Sequence, residues 1–233
     1  FNVGAATAGS GGNATISYGG AIASNGTGAA VSIQSMTGGS VTLSGNLTDS
    51  NAAAGGNIVI AGNDSATITF SGLSKVISSG ATDAVNIGFP GGTPSPNTNS
   101  AINFTNGGLD ITTTGGAGFE AIGGPAILST VTVTGTGNKI NSGGDGLIVV
   151  GTNVGGGGIA FDNISSAATA TGGGVVLNGV DLAGDVNIGG LTNTGAIGVT
   201  VAGVTGTGVV NFTGTTNIDV NGNGLNFSGQ VGT

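Results

Sequence analysis

The sequence of 233 residues contains no cysteine, histidine, tryptophan or arginine, and only 5% of its residues are charged. A chain without cysteine has no disulfides, which suits export through a bacterial envelope as well as the cytosol. Ten acidic residues against two lysines give a net charge of −8. This balance argues against binding to nucleic acid or to an anionic membrane surface, since both need basic patches. No apolar run reaches the roughly 18 residues that a membrane-spanning helix needs.

Glycine is abundant, with 53 residues, and a chain so rich in glycine and small polar residues would be disordered if it had no period. Here apolar-x-apolar triplets recur about every 27 residues along the whole chain. The first triplet of each repeat is Ala14/Ile16, Val41/Leu43, Ile68/Phe70, Ile102/Phe104, Val131/Val133, Ile159/Phe161, Val186/Ile188 or Val210/Phe212. The second triplet is Val31/Ile33, Ile58/Ile60, Val85/Ile87, Phe119/Ala121, Leu147/Val149, Val175/Leu177, Val199/Val201 or Leu225/Phe227. Self-similarity at this period predicts a solenoid.

Alternating apolar and polar residues predict short strands with one buried face. Gly and Asn between the triplets favour corners, and a weaker third strand is predicted at Ile77, Ile111, Ile140 and Ile218. Helices are not expected, because each Gly in a helix interior costs about 1 kcal/mol relative to Ala. The prediction is one all-β domain over residues 1–233, a right-handed parallel β-helix of about eight triangular coils.

The two ends of the sequence share nearly the same phase of the repeat. Phe1 to Val3 matches a second triplet, and the chain stops after the second triplet Leu225/Phe227. Open β-edges normally need a cap, and no charged, proline-bearing or helical cap is recognisable here. We therefore expect either head-to-tail stacking of copies or continuation of a longer solenoid.

The repeats resemble those of bacterial secreted β-helix proteins. The segments that carry the likeness are GGGVVLNGV (172–180), INFTNGGLDITTTG (102–115) and VNFTGTTNIDVNGNGLNFSG (210–229). They are similar in composition and period to autotransporter passenger domains and filamentous-haemagglutinin-like surface adhesins. This resemblance implies an exported protein at a bacterial surface that serves adhesion, matrix or fibre formation. It supplies no diagnostic motif and no site residue.

A catalytic site is not expected, although many parallel β-helices are polysaccharide lyases or hydrolases. Those enzymes use Arg or Lys bases, clustered Asp and often calcium, whereas the ten acids here are spread over many phases of the coil. Asp181 and Asp185 are the nearest acidic pair and fall on a predicted loop. Gly143 to Leu147 matches half of a calcium-binding nonapeptide, but its second Asp is absent and the motif does not recur. We predict no catalytic residue, no metal and no cofactor.

Two surface features are candidates for contacts. The first is an alternating charge ladder that would fix the coil register: Asp49, Lys75, Asp110 and Lys139. The second is a flat outward face that could pack against a fibre, grip a polysaccharide or order water: Thr15, Thr42, Thr69, Asn103 and Thr132. High β-propensity alone also explains Thr in these positions.

Residues 89–100 form a proline-rich insertion that lengthens one repeat to 34 residues. Its candidate contact residues are Phe89, Pro90, Pro94 and Pro96. The leading hypothesis from the sequence is an extracellular structural protein, not an enzyme, that builds fibres or a surface matrix, with adhesion as a further role. A polysaccharide- or ice-binding module is the alternative, and a carbohydrate-active enzyme is a remote one.

Overall fold

Three parallel sheets run along the chain in a computed structural model that describes residues 1–5, 7, 9–51, 55–88, 96–124, 129–167 and 173–229. These residues form 27 strands and no helix. Successive strands enter successive sheets, so each sheet gains about one strand per coil of the chain. We call the three sheets walls A, B and C, in the order in which each coil enters them. The predicted β-solenoid of about eight coils, with a three-sided cross-section, is confirmed.

The strands are short and repeat in the order A, B, C. Strand β1 (Asn2–Val3) of wall C precedes coil one, and coils one to four comprise β2 (Thr15–Tyr18), β3 (Ile22–Ser24), β4 (Val31–Gln34); β5 (Ser40–Leu43), β6 (Leu47–Asp49), β7 (Ile58–Ala61); β8 (Thr67–Phe70), β9 (Lys75–Gly80), β10 (Val85–Ile87); and β11 (Ala101–Phe104), β12 (Leu109–Thr113), β13 (Phe119–Ile122). Coils five and six comprise β14 (Thr130–Val133), β15 (Lys139–Ser142), β16 (Leu147–Val150); and β17 (Asn153–Phe161), β18 (Asn163–Ser166), β19 (Gly173–Asn178). Coils seven and eight each place two strands in wall A: β20 (Asp181–Leu182), β21 (Val186–Ile188), β22 (Leu191–Asn193), β23 (Ile197–Ala202); and β24 (Thr205–Gly206), β25 (Val210–Phe212), β26 (Thr216–Ile218), β27 (Leu225–Ser228).

Wall C follows the predicted second triplets without a shift. Its first inner column runs in register through Val31, Ile58, Val85, Phe119, Leu147, Val175, Val199 and Leu225. Since side chains alternate across a strand, this register sends every triplet to the same face. The triplets of coils one to seven are buried, and those of coil eight lie at the end of the stack.

The interior is a continuous column of aliphatic and phenyl side chains. Phe70 stacks on Phe104 with ring centroids 4.6 Å apart and an interplanar angle of 4°. Phe119 meets Phe104 edge-on at 5.6 Å and Phe161 at 5.9 Å. All four rings are at least 99% buried. Burial of such a side chain stabilises the fold by about 1.5–3 kcal/mol, before the cost of ordering its coil.

Polar side chains inside the corners hold the turns between walls. The hydroxyls of Ser79, Thr113 and Ser142 each donate to the carbonyl three residues later in the chain. At another corner the Asn63 amide donates to Ile33 O and to Asn97 Oδ1, which links consecutive coils. Buried turn carbonyls need donors, and these side chains provide them at the corners.

Two predicted registers in wall A are wrong. In coil one, Ile16 pairs with Val41 and Tyr18 with Leu43, so the triplet is Ile16/Tyr18 and Ala14 is exposed. In coil six, Ile159 pairs with Val133, two residues away from the predicted partner Val131.

The second shift is caused by a glycine bulge. Strand β17 pairs Val154 with Val131 and Ile159 with Val133, so residues 155–158 all lie opposite Thr132. Gly158 has φ +78°, and a Cβ there would lie 2.4 Å from the carbonyl oxygen of Asp185, so glycine is required. Before the bulge, β17 pairs with β20, and β20 pairs in turn with β24. These short strands form a ridge beside the other strands of wall A in coils six to eight.

Candidate functional site

Both terminal coils of the described chain carry exposed apolar side chains. In coil eight, Leu225 is 60% and Phe227 is 56% exposed, although both continue the inner columns of wall C. Together with Val199, Phe212 and Thr216 they line an apolar cavity of about 230 Å³. Exposed apolar patches of this kind mark contact surfaces.

The opposite terminal coil has the same character. Phe1, Ile16 and Ile22 are only partly buried against the core. Tyr18, which is 39% exposed, lies against Phe1 with ring centroids 5.6 Å apart. At both ends, one edge of each wall's sheet has no neighbouring strand among the residues that the structure describes. Such edges are templates for pairing with another strand.

The predicted flat face on wall A is shorter than expected. Thr42, Thr69 and Asn103 lie in register and are half-buried. Thr132 pairs with Asn103 but is only 8% exposed. It lies under the bulge, because a Cβ on Gly155 would approach its hydroxyl to 2.4 Å. Thr15 is not in this column, because it pairs with Ser40. The register partner of Thr42 in coil one is Ser17.

Wall B carries a longer polar column that the sequence analysis missed. Its members are in register through coils three to eight: Ser78, Thr112, Asn141, Ser165, Thr192 and Asn217. All of them are exposed or half-exposed, and none is charged. This column is therefore polar through six coils.

The four residues of the predicted charge ladder do not form one column. Asp110 pairs with Lys139, and both are exposed on wall B. Lys75 instead pairs with Leu47 and Leu109 and is only 1% exposed. Asp49 lies two residues after Leu47 on the same inward face and is also 1% exposed. The ladder prediction is therefore wrong for Lys75 and Asp49, since strand alternation turns them into the interior.

Lys75 is held by carbonyls instead of by a carboxylate. Its Nζ donates to Gly72 O at 2.5 Å, to Thr105 O at 3.0 Å and to Gly107 O at 2.6 Å. Burial lowers the pKa of the amine to about 8, although these three acceptors favour its protonated form. Asn138 provides a similar link two coils later, where its side-chain amide donates to Gly135 O and Ala160 O.

Asp49 fills a corner next to a glycine. One carboxylate oxygen, Oδ2, accepts a hydrogen bond from the backbone N–H of Asn51 at 3.3 Å. The other oxygen, Oδ1, is buried without a hydrogen-bond partner. A Cβ on Gly56, whose φ is +74°, would lie 2.0 Å from the Asp49 carboxyl carbon. Gly56 is thus needed for this side chain to fit.

Three carboxyl groups meet at the corner that leads into wall C. Glu120 is in coil four, and Asp83 and Asp145 precede wall C in the coils on either side. Burial first, and then the charges of Asp83 and Asp145, raise the pKa of Glu120 to about 7. Burial and Asp83 also raise the pKa of Asp145.

The remaining candidates are not assembled as a catalytic or metal site in the described residues. Asp181 Oδ1 accepts from the Thr205 hydroxyl, and Asp185 Oδ1 accepts from the Val209 amide, so both acids link coils seven and eight. No three His, Cys, Asp or Glu side chains within the described ranges are grouped as metal ligands. Of the loop candidates, Pro96 is half-buried, while Phe89, Pro90 and Pro94 lie outside the described residues.

Among the residues that the structure covers, no helix is long and apolar enough to cross a membrane. Comparison with known proteins adds nothing to these observations, because no family model, no curated protein and no solved structure matches the chain. The surfaces described above are therefore the basis for assigning a function.

Proposed function

We propose that this chain is a non-enzymatic structural protein whose coils stack end to end into fibres or a surface matrix outside the cell. The observation that carries the proposal is the pair of terminal surfaces, each with the edges of three sheets around apolar side chains in the described part of the chain. The resemblance to secreted bacterial β-helix proteins supports the extracellular setting. In this proposal, adhesion would be a function of the outer faces of the three walls in the assembled fibre or matrix.

The proposed joint continues the register of the solenoid. A second copy would place its β1 beside β27 in wall C, as β1 already pairs with β4. Its β2 and β3 would lie one coil further from β25 and β26, because β1 belongs to the coil before theirs. Asn2 would then lie beside Asn226, because both belong to one outward column of wall C. The joint would cover Leu225 and Phe227 with Phe1 and Val3.

The coil that covers this terminal surface need not come from a second copy, because further residues of a longer chain would cover it in the same way. The two cases differ in concentration dependence, because only association of copies depends on protein concentration. A polysaccharide-binding module remains the second candidate. The exposed polar column of wall B favours it, because hydroxyl and amide groups there repeat at the coil spacing.

We expect residues 1–233 to form filaments as concentration rises, and Phe227→Lys to remain monomeric. A lysine at this position would place a charge in the apolar joint, where it has no partner. Sedimentation velocity and negative-stain electron microscopy measure both outcomes. Filaments should show a repeat of about 4.8 Å along their axis in fibre diffraction.

Thr192→Lys is the matched control, since it makes the same charge change on exposed wall B. It should assemble like the unmodified chain. A monodisperse monomer of residues 1–233 at every concentration would contradict self-stacking, and glycan binding by that monomer would favour the second candidate.

A further inference from the structure

Wall B carries the only exposed lysine of the chain. The sequence has two lysines and no arginine, and one of the two, Lys75, is buried. The other, Lys139, is exposed beside Asp110, its register partner on the adjacent strand. Within the described residues, neither of these two side chains makes a hydrogen bond or an ion pair. Both charged groups are therefore free to meet a partner.

These two charges lie at the centre of wall B. Its eight strands run in the order β26, β22, β18, β15, β12, β9, β6 and β3. Lys139 belongs to β15 and Asp110 to β12, which are the middle pair, so three strands lie on each side. A two-fold axis that passes between β15 and β12, parallel to the strands, would therefore lay the whole sheet over a second copy of itself with the coil order reversed.

The rest of the face around this pair is uncharged. The column that contains Asp110 and Lys139 continues through Val76 to Thr48 on one side and to Asn163 on the other. The polar column of Ser, Thr and Asn residues runs beside it. These side chains are short, so a second sheet could approach closely. Val76, which is 38% exposed, would be covered.

The other two walls do not offer complementary charges. Wall C has Glu120 on its outward face, and Asp83 and Asp145 at the corner before it. The ridge of wall A has Asp181, and Asp185 lies just before the next strand. Neither wall has a lysine, since both lysines belong to wall B. Two copies that met through wall A or wall C would bring carboxylates together, which opposes association.

We propose that two copies of the chain pair face to face through wall B, with their solenoid axes antiparallel. Asp110 of one copy then faces Lys139 of the second copy, and symmetry forms the reverse contact, as in any isologous interface. Copies with parallel axes would instead bring Asp110 to Asp110 and Lys139 to Lys139. Like charges disfavour that arrangement, so the charges select the antiparallel pair.

The paired face is too small for a tight dimer. A wall about 38 Å long and about 13 Å wide buries roughly 1,000 Å² in total between two copies, which is typical of weak contacts. Phe227→Lys therefore still remains monomeric at the concentrations where the unmodified chain forms filaments. Between two filaments the same weak contact repeats along the axis, and multivalency would hold the filaments side by side. Only this last step rests on the proposed end-to-end stacking.

The test is sedimentation equilibrium of Phe227→Lys at millimolar concentration, because end-to-end stacking is blocked in this variant. We expect a weak dimer. In the same background, Lys139→Glu gives two acidic groups and Asp110→Lys gives two basic groups at the centre of wall B. Each change should weaken dimerisation roughly tenfold, since facing charges become alike. An equimolar mixture of the two variants should recover the dimer, because acidic groups then face basic ones.

Asp181→Lys is the matched control, since it makes the same charge reversal as Asp110→Lys on the exposed ridge of wall A. It should dimerise like Phe227→Lys, and far-UV circular dichroism checks the fold of every variant. A Phe227→Lys chain that stays monomeric at millimolar concentration would overturn the proposal, as would equal dimerisation of the wall B variants. A Phe227→Lys dimer together with no filaments of residues 1–233 would contradict only the end-to-end stacking.

Discussion

Replacing Phe104 with Asp should abolish the cooperative unfolding transition of the chain at neutral pH. Phe104 stacks on Phe70 and meets Phe119 edge-on, so the change removes contacts in the coils on both sides. Loss of the ring alone costs about 3–5 kcal/mol, and a buried unpaired carboxylate costs more. Folded domains have only about 5–15 kcal/mol of stability in total. Circular dichroism during thermal unfolding measures the effect.

Two comparisons separate the role of the ring from a general effect of substitution. Phe104→Leu should fold and lose less stability than Phe104→Asp, because it keeps an apolar side chain in the column. Phe227→Asp should unfold like the unmodified chain under monomeric conditions, since Phe227 is already 56% exposed. Normal unfolding of Phe104→Asp would show that Phe104 is not in the core.

The second large effect concerns Lys75, whose burial makes stability depend on pH in the alkaline range. The folded pKa of about 8 lies below the ordinary lysine pKa of 10.5. Between these values the unfolded chain holds a proton that the folded chain has lost, so stability rises as pH increases. We expect a gain of about 2 kcal/mol in the free energy of unfolding from pH 8 to pH 10.

A comparison of two lysine variants separates the contribution of Lys75 from that of other groups that titrate in the same pH range. Lys75→Met should lose the alkaline gain, because it has no proton to release. Lys139→Met changes the only other lysine, which is exposed on wall B, and should keep the gain. Urea unfolding of the unmodified chain and of both variants at pH 8, 9 and 10 measures how the free energy of unfolding of each protein depends on pH. A flat profile in the unmodified chain would show that the amine of Lys75 is not desolvated.

The sequence predicted the coil, the walls and the aromatic column, since these depend on period and alternation alone. Phe70, Phe104 and Phe161 recur at the repeat distance, and all three lie in the interior. The glycine bulge was hidden because Ile159 follows Val131 by 28 residues, close to the average repeat. An apolar residue therefore stood at the expected position, although its true partner is Val133.

The inward charges were missed because charged residues were assumed to face solvent, as they usually do. The alternation of inward and outward residues along each strand already indicates which charged side chains point inward. Lys75 has the same parity as Ile77, and Asp49 the same parity as Leu47, so both point inward. Asp110 and Lys139 have the opposite parity to their inward neighbours Ile111 and Ile140 and lie outside. The acidic corner was equally readable in part, because Asp83 and Asp145 occupy the same phase of coils three and five.

The partners of buried polar atoms were beyond sequence reasoning, since they depend on the path of each corner. Lys75 finds Gly72 O and Thr105 O only because the turns of two coils stack above each other. The unpartnered oxygen of Asn86 is likewise visible only in three dimensions.

Oxidation of the double variant Asn2→Cys/Asn226→Cys tests end-to-end stacking most directly, because the chain has no other cysteine. A disulfide needs Cα atoms about 4.4–6.8 Å apart, whereas these positions are eight coil steps, roughly 38 Å, apart within one chain. Stacked copies would bring Asn2 beside Asn226 of the next copy. We predict a ladder of covalent multimers on a denaturing gel, and none for Asn2→Cys/Asn217→Cys, which joins different walls. A single monomer band from the first variant at filament-forming concentrations would contradict the account.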